Sequence, residues 1–328
     1  MTIADVIIVG GGITGIMAAN TLSSLGINNC LILEKSNSVG GRLATRRIED
    51  GIADHGAQYF TAYTDLFRIH TLSWQNQGLI KKWFGGKHPR FTSINGMSSI
   101  AKNLATDLDV KLSTKVEKII KENQVYKLMT NQGEFQAKAL IMTTPAPQTI
   151  ELVEASSLIV EPKVLNKLRT IEFVPCLVAL LQLDQPSNLV SLGYVDSNLP
   201  KGMERMIDNY KKGISTSPIV SIYMTPKWSN DHYHKSDDEI VAMILEEVPA
   251  DLLEGATVVS CQLKRWRYAE AVKVIHEPFL NGATSSLPLL FAGDAFICQT
   301  DPSKRGRLES GVISGILVGQ EMKRQLAP

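Results

Sequence analysis

The sequence predicts an α/β fold in which a parallel sheet is flanked by helices, and three observations carry that prediction. The chain opens on "ADVIIVG", residues 4 to 10, a continuous apolar run of the kind buried on both faces of a parallel sheet. A glycine turn, a helix-period segment and a second apolar run, "CLILE" (30 to 34), follow at once. Near the other end, "LPLLFAGDAF" (287 to 296) reads as another buried strand, followed by a helix-period segment. With 328 residues the chain exceeds one ordinary core, so two interwoven domains are expected.

The opening elements define a phosphate-binding turn. Gly10, Gly12 and Gly15 give GxGxxG. The first permits a tight turn, the second lets backbone approach a pyrophosphate, and the third lets helix pack on strand. Ile13, Ile16, Met17, Leu22 and Leu25 recur at roughly helical spacing, and Gly26 is a plausible stop. The helix start offers free amides and a positive dipole end to phosphates. Glu34 ends the second strand about twenty residues beyond the third glycine, where an acceptor for ribose hydroxyls belongs. Its charge repels a 2′-phosphate, which disfavours NADP at this site; NAD and FAD both satisfy the motif.

Composition excludes other classes. The hydrophobic fraction of 44% and the charged fraction of 20% are those of a soluble globular protein. Lys plus Arg (34) nearly cancels Asp plus Glu (33), so no overall field draws nucleic acid or an anionic membrane. Cys30, Cys176, Cys261 and Cys298 are scattered without metal-ligand spacing and read as reduced, buried thiols. The six histidines form no ligand pair, so no metal is expected. No signal peptide or membrane-length apolar run is read, and a cytoplasmic location is expected.

The next segments choose between the cofactors. "SVGGRLATRR" (38 to 47) places a glycine pair and Arg42 close behind Glu34. This pattern resembles the two-domain flavoproteins of the amine-oxidase superfamily, in which Gly-Gly-Arg follows the ribose-binding acid and helps hold FAD. Arg42 is the residue expected there, with a solvated basic loop as the alternative reading, one that weighs more heavily for Arg46 and Arg47. Gly293-Asp294 resembles the Gly-Asp that meets the ribityl chain or pyrophosphate in such enzymes. The helix after it, with Val312, Ile313, Ile316 and Leu317 at helical spacing, would point its start at the flavin ring. "ALIMTTPAP" (139 to 147) is a plausible strand exit.

From "DHGAQYFTAYT" (54 to 64) onward the chain resembles the renalases, small FAD oxidases of that superfamily. The likeness continues through "WQNQGLIKKWF" (74 to 84), "INGMSSIAKNLA" (94 to 105), "RWRYAEA" (265 to 271) and "AGDAF" (292 to 296). It implies a Rossmann-like FAD domain from residues 1–70, 92–150 and 285–328, and a smaller substrate domain with an antiparallel sheet from 71–91 and 151–284. "VPCLVALLQL" and "PIVSIYMT" are strand-like, and "SDDEIVAMILEEV" reads as a helix behind a Ser/Asp cap.

The resemblance implies non-covalent FAD held by Gly10, Gly12, Ile13, Thr14, Gly15, Glu34, Lys35, Gly41 and Arg42. Gly56, Ala57, Gln58, Val116, Thr144, Gly293, Asp294, Arg307 and Leu308 complete that set. The implied substrate is a 2- or 6-dihydronicotinamide dinucleotide, oxidised to NAD(P)+ with oxygen as acceptor and hydrogen peroxide as product. With one dinucleotide fingerprint only, the donor is expected to bind directly against the flavin. Positioning dominates such chemistry, because the substrate is already a good hydride donor.

Gln58, Trp266, Arg267 and Tyr268 are the expected catalytic positions. Gln58 would donate to the flavin or to a carboxamide, or else bond nearby backbone. Trp266 and Tyr268 would line the pocket, or anchor a strand. Lys304, Arg305, Arg307, Arg265 and Arg267 are candidate cations for the substrate's phosphates, with a structural salt bridge as the other reading of Arg267. Lys264 stands where the renalases often carry His. "ICQTDPSKRGRLE" offers no aromatic after Phe296, which argues against the aromatic cage that orients an amine, and the context of Cys298 argues against a flavin thioether. A small-amine oxidase and a non-catalytic flavin sensor are the competing readings. The sequence leaves oligomeric state unread.

Overall fold

The computed structural model describes residues 3–156, 158–284, 286–299, 301 and 303–327. The chain begins β1 (Ala4–Val9), α1 (Ile13–Ser24), β2 (Cys30–Leu33), then the hairpin β3 (Thr45–Ile48) and β4 (Gly51–Asp54). Next come α2 (Asp65–Asn76), the hairpin β5 (Ile80–Phe84) and β6 (Arg90–Ser93), and α3 (Ser98–Leu104). β7 (Asp109–Lys111), β8 (Val116–Glu122), β9 (Val125–Thr130) and β10 (Gly133–Met142) precede α4 (Ala146–Glu154) and α5 (Pro162–Arg169). β11 (Glu172–Leu183), β12 (Tyr194–Val195), β13 (Met203–Asp208) and β14 (Ile219–Met224) follow. The chain ends through α6 (Pro226–His232), α7 (Asp237–Glu247), β15 (Val258–Lys273), β16 (Leu280–Asn281), β17 (Leu289–Phe291) and α8 (Leu308–Leu326).

Two main sheets organise these elements. The larger runs β16-β17-β10-β1-β2-β7, with the β8–β9 hairpin joined to the first half of β10. Its centre is parallel: Ile7 lies between Leu31 and Leu140, and Met142 pairs with Phe291. Val6, Ile7 and Ile8 are wholly buried, as a strand covered on both faces requires. The second sheet, β12-β13-β14-β11-β15, is antiparallel throughout, so the architecture is the mixed α/β fold that the sequence predicts.

α1 and α8 pack together on one side of the parallel sheet. Glycines at helical spacing let their backbones meet: a Cβ on Gly315 would lie 2.5 Å from the Thr14 carbonyl oxygen, and one on Gly319 would lie 2.9 Å from that of Ala18. The close approach brings both helix starts to the same edge of the sheet.

The expected domain edges differ from the element boundaries. α2 spans the edge at 70 and α4 the edge at 150, while β16 lies in the parallel sheet ahead of residue 285. Val153, Val164 and Leu168 of α4 and α5 join the same buried cluster as Ile7 and Leu140. Their apolar faces cover the parallel sheet. Residues 1, 285 and 328, where three of the edges were set, lie outside the described residues.

Candidate functional site

A cavity of about 1290 Å³ runs from the glycine turn to the antiparallel sheet. Every expected cofactor residue lines it except Gly15, which lies beneath the turn. A Cβ on Gly15 would stand 2.1 Å from the Gly10 carbonyl oxygen, so only glycine lets α1 start there. Gly12 faces open space, and no side chain caps α1. First-turn amides are thus left for an anion. Glu34 is buried and braced, accepting from the amides of Gly11 at 2.7 Å and Ser36 at 2.8 Å. A carboxylate has about four lone-pair sites, so two remain for ribose hydroxyls. Lys35, Val116 and Thr144 lie on the same wall. These donors, acceptor and open glycines fit the nucleotide half of a flavin dinucleotide.

Arg42 has a partner that its local sequence does not announce. Its guanidinium grips Asp294 through two bonds of 2.8 and 2.6 Å, tying the loop after β2 to the turn after β17. The fork-on-fork geometry neutralises much of the charge expected to face phosphate. Arg307, at the start of α8, likewise pairs with Asp301 and with Glu309, and lies 4.6 Å over the Tyr63 ring. Both arginines still line the cavity, each held by carboxylates.

Gln58 makes the bond to nearby backbone that was the other reading of its amide. Its amide nitrogen bonds the Asp54 carbonyl at 2.7 Å and the Tyr223 hydroxyl, and its oxygen accepts from Lys212 at 2.8 Å. Both amide hydrogens are spent inside the wall. Lys212 also pairs with Asp54 at 2.8 Å, and both side chains are fully buried. Burial draws the Lys212 ammonium below its usual range, against the pull of Asp54.

On the opposite side, Trp266 stacks on His55, with ring centres 5.4 Å apart, and donates to the His55 carbonyl at 2.7 Å. Tyr268 meets Phe173 edge-on. These contacts place both aromatics on the cavity wall and anchor β15 as well. Burial first, then the Lys264 charge, lowers the His55 pKa to about 4, so the imidazole is neutral at neutral pH.

The expected cations separate. Arg265 lines the cavity but is engaged by Asp237 and by the carbonyls of Tyr233 and Lys235, between α6 and α7. Arg305 is paired with Glu270, and neither it nor Lys304 lines the cavity. Arg46 leans on Gln262 at 3.3 Å, away from the cavity. Arg267 does line the cavity, exposed and 5.1 Å over the Tyr233 ring, with no carboxylate partner among the described residues. The cavity also gathers His55, Arg90, Arg205 and Tyr223, which the sequence reading did not select. Strand alternation could have flagged Tyr223 as an inward polar side chain; nothing local marks the others.

Two thiols bear on flavin attachment. Cys176 lines the cavity, but burial pushes its thiol up to about 12. Cys298 packs in the α1–α8 core cluster and is absent from the cavity wall. Thr300 and Pro302, within the stretch read as lacking an aromatic cage, lie outside the described residues.

This arrangement, a dinucleotide cradle facing a sheet-walled cavity, is that of a protein that binds a nucleotide cofactor. Residues 8–71 match the model of the NAD(P)-binding Rossmann-like domain, and residues 71–322 match that of the flavin containing amine oxidoreductases. The chain therefore belongs to the flavin-containing amine oxidoreductase family and is a flavin-dependent oxidoreductase. Its fold is similar to that of a protein from Exiguobacterium sp. 255-15 described as a protoporphyrinogen oxidase. The TM-score is 0.73 at 12% identity, over 99% of each chain, a likeness of fold alone. Among the described residues, no helix is long and apolar enough to cross a membrane.

Proposed function

We propose that the protein is a renalase-like oxidase with non-covalent FAD, acting on 2- or 6-dihydronicotinamide dinucleotides. The observation that carries this reading is the size of the cavity built on the glycine turn. At about 1290 Å³ it exceeds the roughly 300–1,000 Å³ of a site for one drug-sized ligand, leaving room for a donor beside the cofactor. The chain has one dinucleotide fingerprint, so a nicotinamide donor has to use that remaining space. Oxygen is the proposed acceptor and the cytoplasm the proposed location.

When bound, flavin would supply a two-electron acceptor that oxygen could reoxidise. The balance is one dihydronicotinamide, one proton and one oxygen giving NAD(P)+ and hydrogen peroxide. The protein's part is placement. Glu34 and the first amides of α1 hold the adenosine and phosphate end. Trp266, Tyr268 and the Gln58–Tyr223 wall shape the space for the ring and exclude water, so that little acid–base help is asked of any side chain.

The test is turnover in air with each isomer, ordinary NADH and small amines, following peroxide and NAD+. One peroxide per NAD+ from the isomers supports the proposal. The family match favours an amine donor as the second reading, and peroxide from amines alone would establish it. No peroxide from any donor would point to a flavin-bound sensor.

A further inference from the structure

The cations expected for the substrate's anionic end are mostly engaged elsewhere, which directs attention to those that are not. Arg90, at the start of β6, is half-buried on the cavity wall. Its guanidinium stands 5.0 Å over the Phe84 ring and 5.7 Å over the Tyr59 ring, and it has no carboxylate or hydrogen-bond partner among the described residues. A guanidinium held by two aromatic faces keeps its five donors and its full charge for a ligand.

A second arginine approaches from the other sheet. Arg205 on β13 is paired across the strands with Tyr223 and stands 5.7 Å over that ring. Its carboxylate partner is its neighbour Glu204, which also lines the cavity. Tyr59 bridges the two sides: its hydroxyl is 3.4 Å from that of Tyr194, on the strand beside β13. One arginine from the β5–β6 hairpin and one from the antiparallel sheet thus flank the same stretch of wall. The free fork of Arg90, with Arg205 beyond the phenol and held by Glu204 through one nitrogen only, suits a ligand bearing two adjacent oxyanions.

We propose that Arg90 and Arg205, on either side of Tyr59, receive the oxyanions of the substrate, which under the functional reading above is the diphosphate of the dihydronicotinamide dinucleotide. The inference rests on that reading for the identity of the anion, while the subsite itself stands on the geometry. It makes Arg90 a specificity-determining residue: a donor without phosphates would lose little when Arg90 is replaced.

The test uses the flavin-loaded protein, in which the glycine-turn site is filled, titrated by calorimetry with inorganic pyrophosphate and separately with glutarate. Parent, Arg90→Gln, Arg90→Lys and Arg205→Gln are compared, with visible flavin absorbance confirming that each is folded and loaded. The expected result is pyrophosphate binding that weakens about tenfold or more in each Gln variant and is restored only in part in Arg90→Lys, which keeps the charge but not the stacked fork. Equal pyrophosphate affinity in parent and Arg90→Gln would overturn the subsite. Tighter binding of glutarate would overturn the diphosphate assignment in favour of a carboxylate substrate. Because the titration needs no turnover, failure of the dihydronicotinamide assay with Arg90-dependent pyrophosphate binding intact removes only the catalytic reading.

Discussion

His55 shows how one side chain's charge state depends on packing that its own residue type does not reveal. Its Nδ1 is buried without a partner, its ring stacks on Trp266, and Lys264 and Arg46 both oppose a proton there. The folded pKa of about 4 lies below the ordinary 6.5, so the unfolded chain takes the proton first. Stability from this group is therefore full above about pH 6.5 and is lost as pH falls toward 4, by about 3 kcal/mol. His55→Phe keeps the stacked ring and removes the titration. Denaturant unfolding from pH 7 to 4 should show the parent losing more stability than the variant; parallel curves would contradict the assignment. Arg42 teaches the complementary lesson. Its Gly-Gly-Arg context was legible, but its partner Asp294 is 252 residues away, and no local signal names it.

At the scale of elements, legibility followed the physics of each segment. The β1–α1–β2 unit was readable because its apolar period, glycine turn and terminal acid are all local. α7 was readable because Ser236 and Glu239 cap its start reciprocally. The β5–β6 hairpin, which delivers Arg90, does carry a turn signal in Gly85, Gly86 and Pro89, but the sequence reading placed no hairpin there. Helix packing was only half readable: the glycines of α8 stand in the sequence, but their partner α1 lies at the far end of the chain. That contact has a direct consequence. Gly315→Ala puts a methyl 2.5 Å from the Thr14 carbonyl oxygen, so one helix has to move. The expected cost is about 1–3 kcal/mol of overpacking. Because α1 also carries the phosphate-facing amides, flavin retention on dilution should fall with it. Thermal unfolding and released flavin measure both effects, and a variant matching the parent in both would refute the coupling.

The whole molecule is held together by polar contacts as well as apolar ones. The β3–β4 hairpin docks on the antiparallel sheet through Asp54: its amide donates to Asn209, its carbonyl accepts from Ser221, and its carboxylate meets Lys212. The other carboxylate oxygen accepts from Thr45 and from the Met97 amide. Such a pair contributes little net stability against an apolar substitute, yet breaking half of it leaves a buried charge unpaired. Lys212→Met is accordingly expected to cost about 3–5 kcal/mol, and replacing both members, Asp54→Leu with Lys212→Met, should cost less than the sum of the single changes. Urea denaturation of the three variants reads this directly; strict additivity would show that the pair is not coupled. The same network fixes Gln58 and Tyr223 on the cavity wall, so the shape of the donor space depends on it.

Hydride transfer from a misreduced nicotinamide to the flavin is the claim on which the functional account rests, and anaerobic mixing tests it most directly. The purified yellow protein is combined without oxygen with 6-dihydroNAD, 2-dihydroNAD, ordinary NADH and a set of small amines, while the flavin's visible absorbance is followed. The account predicts rapid bleaching by one or both isomers, slow or no bleaching by NADH and amines, and return of colour with peroxide when air is admitted. Bleaching by an amine with none by either isomer would contradict it.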